Sequence, residues 1–292
     1  MKVTIQDDDV LKAIEPLQVA TYLQAAGWKQ ESKDDDKSST WVKINPSEEL
    51  ILNLPLKPDI RYFNHRIAEV LKIISDAENR SELDIFNDIR YSWSDVVRFY
   101  INNSDVIKGS LLLVDSIRIL ASIKEMLLWV ACSTINPKAY FPEKLAQAVS
   151  YASRLRTVQT DQGFSYVFTI ISPLIPVQNQ VENVALPVSS NSFERQVVQR
   201  FALALDNFRS QAEKEIYQEN LGFVSVDNMS AISANFCQSV LQMNDFNKNN
   251  GLDVRISWSS LLPISHKVPT QINLSATAMP IVSKVREELT AH

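Results

Sequence analysis

The pattern of apolar and polar positions in the first 80 residues predicts a small α-β-β-α unit. Apolar residues recur at helical spacing after Pro16, and Gly27 ends this first helix. The segments TWVKI and ELILNLPL alternate as strands do, and the turn residues between them predict a hairpin. We interpret the charged run ESKDDDKSS ahead of them as a polar loop. A second amphipathic helix follows from Ile60 to Ile74.

The rest of the chain shows the same two periodicities. The apolar run 111–135 predicts the longest helix, a shorter helix begins near Pro142, and FSYVFTII predicts a strand. Residues 176–192 are rich in Pro, Gln, Asn, Val and Ser without a period, which is typical of a linker or surface loop. A helix is predicted next, and residues 225–289 then repeat the order α-β-β-α.

These elements predict an α+β fold that is rich in helices, with small antiparallel sheets at each end, in α-β-β-α units, around a helical middle. We divide the chain into an N-terminal α+β unit (1–108), central helices and a strand (109–175), a linker or surface loop (176–192) and a C-terminal α+β unit (193–292). The shared element order of the two end units raises the hypothesis of a structural duplication.

Composition and charge limit the classes of function. The chain has 292 residues, of which 45% are hydrophobic and 22% charged, as in an ordinary folded protein. Its formal net charge is -5, so the molecule as a whole has no field that attracts nucleic acid. Binding to nucleic acid would therefore need a local basic face.

Cysteine usage and hydropathy predict a cytoplasmic protein. Cys132 and Cys237 both lie among apolar residues without the spacing of a disulfide or metal motif, so we expect buried thiols in a reducing compartment. The opening residues MKVTIQDDDV contain no apolar signal segment. Four charged residues interrupt the run 111–135, which makes insertion into a bilayer costly, so we expect no membrane partner.

The sequence contains no constellation typical of catalysis. His65, His266 and His292 have no second ligand at the spacing of a metal motif, and the two DDD runs lack the alternation of a calcium loop. No G-x-S-x-G elbow and no glycine-rich phosphate loop occurs. We therefore predict no catalytic residue, no metal and no cofactor, and we favour a protein that is not an enzyme.

The stretch LRTVQTDQGFSYVFTIISP is the first candidate binding segment. Arginine can donate two hydrogen bonds to an anion, and glycine lets a ligand approach the backbone. The predicted ligand-binding residues are Arg154, Arg156, Gln159, Thr160, Gln162, Gly163 and Ser165. The alternative is a helix-to-strand corner in which the two arginines only compensate the negative end of a helix dipole.

The stretch KPDIRYFNHR is the second candidate. Lys57, Arg61, His65 and Arg66, which we call the basic face, fall around the start of a predicted helix. Arg61 and His65 are four residues apart and so share one side of that helix. This face could bind phosphates or an acidic partner. The alternative is a solvated stripe opposite the apolar side of the helix.

The N-terminal pieces VATYLQAAGW, TWVKI, LILNLPL and YFNHRIAEVLKII resemble a group of uncharacterised bacterial α+β proteins, which implies a fold but no activity. Residues 16–77 also resemble the α-β-β-β-α module of double-stranded-RNA-binding domains and the related mRNA-interferase toxins. Those toxins carry a histidine ahead of the first long strand, where this chain has DDDKSSTW. The resemblance therefore implies no catalytic residue here, and acidic residues stand where a basic RNA-binding loop is expected.

Together these observations predict a non-catalytic binding or assembly protein that recognises a macromolecular partner, either another protein or further copies of itself. The alternative is a host-defence factor that binds or processes nucleic acid, with a site assembled from residues far apart in sequence. In that case Arg154, Arg156, Gln159 and Ser165, together with His65, are the first residues to examine. A third possibility is nucleic-acid binding through the basic face.

Overall fold

The computed structural model describes residues 4–34, 37–44, 49–102, 106–107, 110–162, 165–174, 192–217, 232–259, 261–262, 264 and 267–291. These residues form two compact units. The first contains the described residues up to Ser94 together with 259–262, and the second contains the others. Each unit has one small antiparallel sheet, of three and five strands respectively, and the rest is mainly helix. The predicted α+β, helix-rich fold class is confirmed.

In the first unit, helices pack around a three-stranded sheet. Its elements are α1 (Asp8–Lys12), α2 (Pro16–Ala25), β1 (Lys29–Asp34), β2 (Ser38–Ile44), β3 (Glu49–Pro55), α3 (Phe63–Glu78) and α4 (Glu82–Arg90). The strands pair antiparallel in the order β1-β2-β3. Pro16 occupies the first turn of α2, where its missing N–H costs no hydrogen bond. The apolar faces of the helices and the inward residues of β2 and β3 form one core.

The polar loop predicted at ESKDDDKSS is wrong in part, because Lys29–Asp34 forms strand β1. All six residues of β1 are polar and exposed, so the strand carries none of the apolar alternation from which strands are predicted. It is an edge strand, held by backbone pairing to β2. The order from α2 to α3 is therefore α-β-β-β-α and not α-β-β-α.

Among the described residues of the second unit, five helices pack with a five-stranded sheet. Its elements are β4 (Ser94–Ile101), α5 (Leu113–Ile135), α6 (Ala146–Arg154), β5 (Arg156–Gln162), β6 (Ser165–Pro173), α7 (Phe193–Tyr217), α8 (Ala234–Phe246), β7 (Leu252–Ser257), β8 (Gln271–Leu274) and α9 (Met279–Ala291). The strand order is β5-β6-β4-β7-β8. Helices α5, α7, α8 and α9 share one apolar core with the sheet.

The second unit combines residues that were predicted to belong to separate central and C-terminal segments. Strands β7 and β8 belong to the same sheet as β4, β5 and β6, so the predicted central and C-terminal segments share one core. Pairing between strands distant in sequence cannot be inferred from local periodicity. Helix α8 begins at Ala234, where Ser233 caps it, and residues 225–231 of the predicted helix lie outside the described residues. The predicted linker 176–192 lies outside the described residues, except for Ser192.

Candidate functional site

The basic face lies on the surface of the first unit, at the start of α3. Lys57, Arg61, His65 and Arg66 are all exposed. Tyr62, which precedes the first residue of α3, is 56% exposed and has a left-handed backbone, with φ 64°. The Arg61 guanidinium lies 4.6 Å from the centre of the Tyr62 ring and donates a hydrogen bond of 2.7 Å to its hydroxyl. The structure thus adds an exposed aromatic ring to the predicted cations.

A cavity next to the basic face adds a second lysine. Lys57 lines this cavity together with Lys33 of β1, which was assigned to a loop in the sequence analysis. Trp41 also lines this cavity, and its indole N–H donates to Ser39. Glu15 lies in the same wall, so the lining carries charges of both signs. Lys33 could have been identified from sequence only if β1 had been recognised as a strand.

In the first candidate segment helix α6 ends at Arg154 and strand β5 begins at Arg156, so a helix-to-strand corner lies at Leu155. Most of the predicted loop is strand, because Arg156–Gln162 and Ser165–Pro173 form the paired strands β5 and β6. Gln162 pairs with Ser165 across the two strands. The structure describes only the backbone of Gln159, Thr160, Gln162 and Ser165, and Gly163 lies outside the described residues. A polar strand without apolar alternation is easily mistaken for a loop.

The two arginines of this segment occupy different surroundings. Arg154 lies in the last turn of α6, where a cation favours the helix dipole. Its Nη2 lies 2.8 Å from Oε1 of Glu194 on α7, so an intramolecular carboxylate already binds this guanidinium. Arg156 is exposed at the start of β5. Arg154 is therefore paired within the fold, whereas Arg156 is exposed on the surface. The assignment of seven ligand-binding residues to this segment stays a prediction.

The cysteines have the surroundings of structural residues. The predicted burial of Cys132 and Cys237 is confirmed, and neither forms a disulfide. Burial raises the pKa of Cys237 to about 12, and burial also raises the pKa of Cys132. A protonated thiol is a poor nucleophile. Among the described residues, no group of three or more His, Cys, Asp or Glu side chains could hold a metal ion.

A groove of about 770 Å³ lies in the second unit among α5, α8 and α9. Trp129 and Tyr140 are the aromatic residues of its lining. Its charged groups are engaged: Arg286 donates to Gln238 at 2.7 Å, and Glu125 accepts from Lys144 at 2.7 Å. The groove therefore has the size of a ligand site, but its charges already have partners within the protein.

The most unusual surface of the second unit is at the start of α5. Leu112, Leu113, Val114 and Ile117, which we call the α5 apolar surface, are 57%, 76%, 51% and 59% exposed. Nearby Ile107 is 65% exposed. The rest of α5 from Ile119 onward is mostly buried, so the exposure is confined to its first turns. The sequence signal for this exposure is LLLV at 111–114, because the single buried face of a helix cannot cover so many successive positions.

In the parts of the chain that the structure describes, no helix has both the length and the hydrophobicity needed to cross a membrane. Comparison with known proteins gives no match to a protein-family model, to a curated protein or to a solved structure. The two resemblances noted from the N-terminal residues therefore stay expectations.

Proposed function

We propose that this chain is a non-catalytic binding protein that recognises a protein partner through the α5 apolar surface. The observation that carries the proposal is the exposure of four aliphatic side chains close together in sequence, three in the first two turns of α5 and one at its N-cap, Leu112. Contiguous apolar surface on a folded protein is typical of protein interfaces, because covering it removes that surface from water. Burial raises the pKa of both Cys132 and Cys237, so neither thiol is suited to act as a nucleophile.

Affinity capture from the native host with matched variants tests this proposal. The double variant Leu113→Ser with Ile117→Ser makes the surface polar, and Leu203→Ser makes the same change at an exposed leucine of α7. Exposed positions tolerate such changes within roughly 0.5 kcal/mol, so both proteins should keep their melting temperature. We expect the unmodified chain and the Leu203 variant to retain one discrete partner that the double variant does not bind. Equal capture by all three would contradict the proposal.

A second candidate function is nucleic-acid binding through the basic face. It is favoured by the stacking of Arg61 on Tyr62, which presents a cation and an exposed ring together. Aromatic rings stack on unpaired bases, and the exposed Lys57 and Arg66 carry positive charge of the kind that neutralises phosphates. A cytoplasmic location and a bacterial origin are also proposals. The former is supported by the free thiols.

Salt-dependent binding to single-stranded and double-stranded RNA and DNA tests the second candidate. Removing one cation that neutralises a phosphate should reduce the slope of log affinity against log salt by about 1, so Arg61→Ala with Arg66→Ala should flatten it by about 2. The control is Lys12→Ala with Arg90→Ala, which removes two cations elsewhere in the same unit. Affinity that does not fall with salt, or that falls equally in both variants, would exclude the basic face.

A further inference from the structure

We propose that Asn250 is a site of spontaneous deamidation, and that the fold restrains this reaction through the side chain of Asn244. The modification is separate from the proposed function and belongs to the turn between α8 and β7. Of the five glycines in the chain, Gly251 is the only one that follows an asparagine. Asparagine deamidates fastest before glycine, because glycine has no side chain to hinder the approach of its nitrogen to the asparagine amide.

The reaction joins two neighbouring residues. The Gly251 nitrogen gives its proton to a base in the solvent and attacks Cγ of Asn250. A bond between this nitrogen and Cγ forms, the bond between Cγ and Nδ2 breaks, and Nδ2 takes up a proton and leaves as ammonia. Water then opens the resulting succinimide ring at either carbonyl carbon. The product at position 250 is aspartate or isoaspartate, so the chain gains one negative charge.

The attacking nitrogen is restrained in the folded protein. The N–H of Gly251 is buried and donates a hydrogen bond of 2.9 Å to Oδ1 of Asn244. Asn244 is itself only 4% exposed, so its oxygen is shielded from water that would compete for this bond. While the hydrogen bond persists, the N–H is directed at Asn244 and the nitrogen keeps its proton. Asn244 therefore protects the amide of Asn250 from attack.

The amide that is attacked is also held in place. Asn250 is exposed, so water and a base can reach its side chain. Its Nδ2 donates to the carbonyl oxygens of Asn247 at 2.8 Å and of Lys248 at 3.4 Å. Asn247 is buried and donates from its own Nδ2 to the carbonyl oxygen of Gly251 at 2.9 Å. Both reacting groups have to leave these hydrogen bonds first, so deamidation follows local opening of the turn.

Peptide mapping by mass spectrometry measures the rate of deamidation at Asn250 during incubation at mildly alkaline pH. We expect the folded, unmodified chain to react at least about tenfold more slowly than the same chain unfolded in urea. Asn244→Ala leaves the buried Gly251 N–H without its acceptor, and should accelerate the reaction of the folded protein by about tenfold. Circular dichroism confirms that each variant is folded.

The matched control is Asn249→Gly. It removes the other hydrogen-bond partner of Asn244, whose Nδ2 donates to Asn249 Oδ1 at 2.9 Å, and it keeps the acceptor of the Gly251 N–H. Glycine also tolerates the φ of 60° at this position. We expect this variant to react as slowly as the unmodified chain when folded, and all three proteins to react alike in urea.

Three results would overturn the inference. The first is no deamidation at Asn250 even in urea, the second is an equal rate in the folded and the unfolded chain, and the third is a folded Asn244→Ala protein that reacts no faster than Asn249→Gly. Should Asn244→Ala fail to fold, Asn244→Ser takes its place, because its shorter side chain does not reach the Gly251 N–H. None of these results depends on the α5 apolar surface, so the proposed function is tested separately.

Discussion

Arg195 and Asp95 form an ion pair inside the second unit, with Nε and Oδ2 2.9 Å apart and side chains 1% and 0% exposed. The Arg195 guanidinium also lies 5.5 Å from the centre of the Trp258 ring. Burial lowers the pKa of Arg195, and the neighbouring Asp95 opposes this shift. Each charge is thus tolerated in the interior because the other is present.

We predict that Asp95→Asn lowers the free energy of unfolding by roughly 3–5 kcal/mol, because it leaves a buried cation without its counter-charge. Urea unfolding measures the change. Glu213→Gln, which removes one carboxylate from an exposed contact with Arg209, is the control and should cost less than about 1 kcal/mol. Similar losses in the two variants would contradict the role assigned to the buried pair.

Cys237 predicts a pH dependence of stability. Its pKa in the folded protein is about 12, against about 8.5 for a free thiol, because burial disfavours the thiolate. The contribution of the thiol to stability is therefore fully present below about pH 8.5 and is lost as the pH rises towards 12, by about 1.4 kcal/mol per pH unit.

We therefore expect the free energy of unfolding to fall more steeply above pH 8.5 in the unmodified chain than in Cys237→Ala. By pH 9.5 the difference between the two proteins should have changed by about 1.4 kcal/mol. Urea unfolding in the presence of a reductant, between pH 7 and pH 9.5, measures it. Parallel pH curves for the two proteins would show that the thiol does not titrate in this way.

At the scale of elements, the turn between α8 and β7 depends on one glycine. Gly251 has a φ of 73°, and a Cβ atom there would collide with the carbonyl oxygen of Leu274 on β8. Its N–H donates to Asn244 Oδ1 at 2.9 Å. Gly27 also has a positive φ, of 85°, but no atom lies within 4 Å of where its Cβ would be.

The two glycines make a matched pair of variants. We predict that Gly27→Ala costs about 1–2 kcal/mol of stability, for the left-handed backbone alone. Gly251→Ala should cost more, at least about 3 kcal/mol, because the turn must also move away from β8. Thermal or urea unfolding of both variants measures the difference. A smaller loss at Gly251 than at Gly27 would mean that the turn lacks this close approach.

The elements that could be predicted are those with an apolar side. Most of the predicted helices, including α3, α5 and α7, were recognisable because their buried residues repeat every three or four positions. Strands β1 and β5 were missed because their residues are mainly polar, so only backbone pairing with a neighbour defines them. Such pairing depends on the backbone groups of the neighbouring strand, which the local hydropathy pattern does not reveal.

At the scale of the molecule, the candidate sites were only partly predictable. The exposure of Lys57, Arg61, His65 and Arg66 fits the predicted basic face, but Tyr62 was not foreseen as part of it. The partner of Arg154 is Glu194, 40 residues away, which no local pattern indicates. The exposure of the α5 apolar surface could not be predicted, because hydrophobic residues are usually buried and only the packing around a helix shows which of them are not.

Arg154 and Arg156 can be separated by their surroundings. We predict that Arg154→Ala costs roughly 0.5–1 kcal/mol, because it breaks the partly exposed pair with Glu194. Arg156→Ala, at an exposed position, should change stability by less than about 0.5 kcal/mol. Thermal unfolding of each variant measures these effects. Loss of folding on changing Arg156 would show that it has a structural role beyond the surface position described.

Photo-crosslinking in the native host tests the central claim, that the α5 apolar surface is an interface, most directly. A photoreactive amino acid replaces Ile117 in one strain and Leu203 of α7 in another. The account predicts one discrete crosslinked species from position 117, to a second copy or to a different protein, and none of that size from position 203. Illumination that leaves position 117 free of any discrete adduct, or gives the same adduct from both positions, would contradict it.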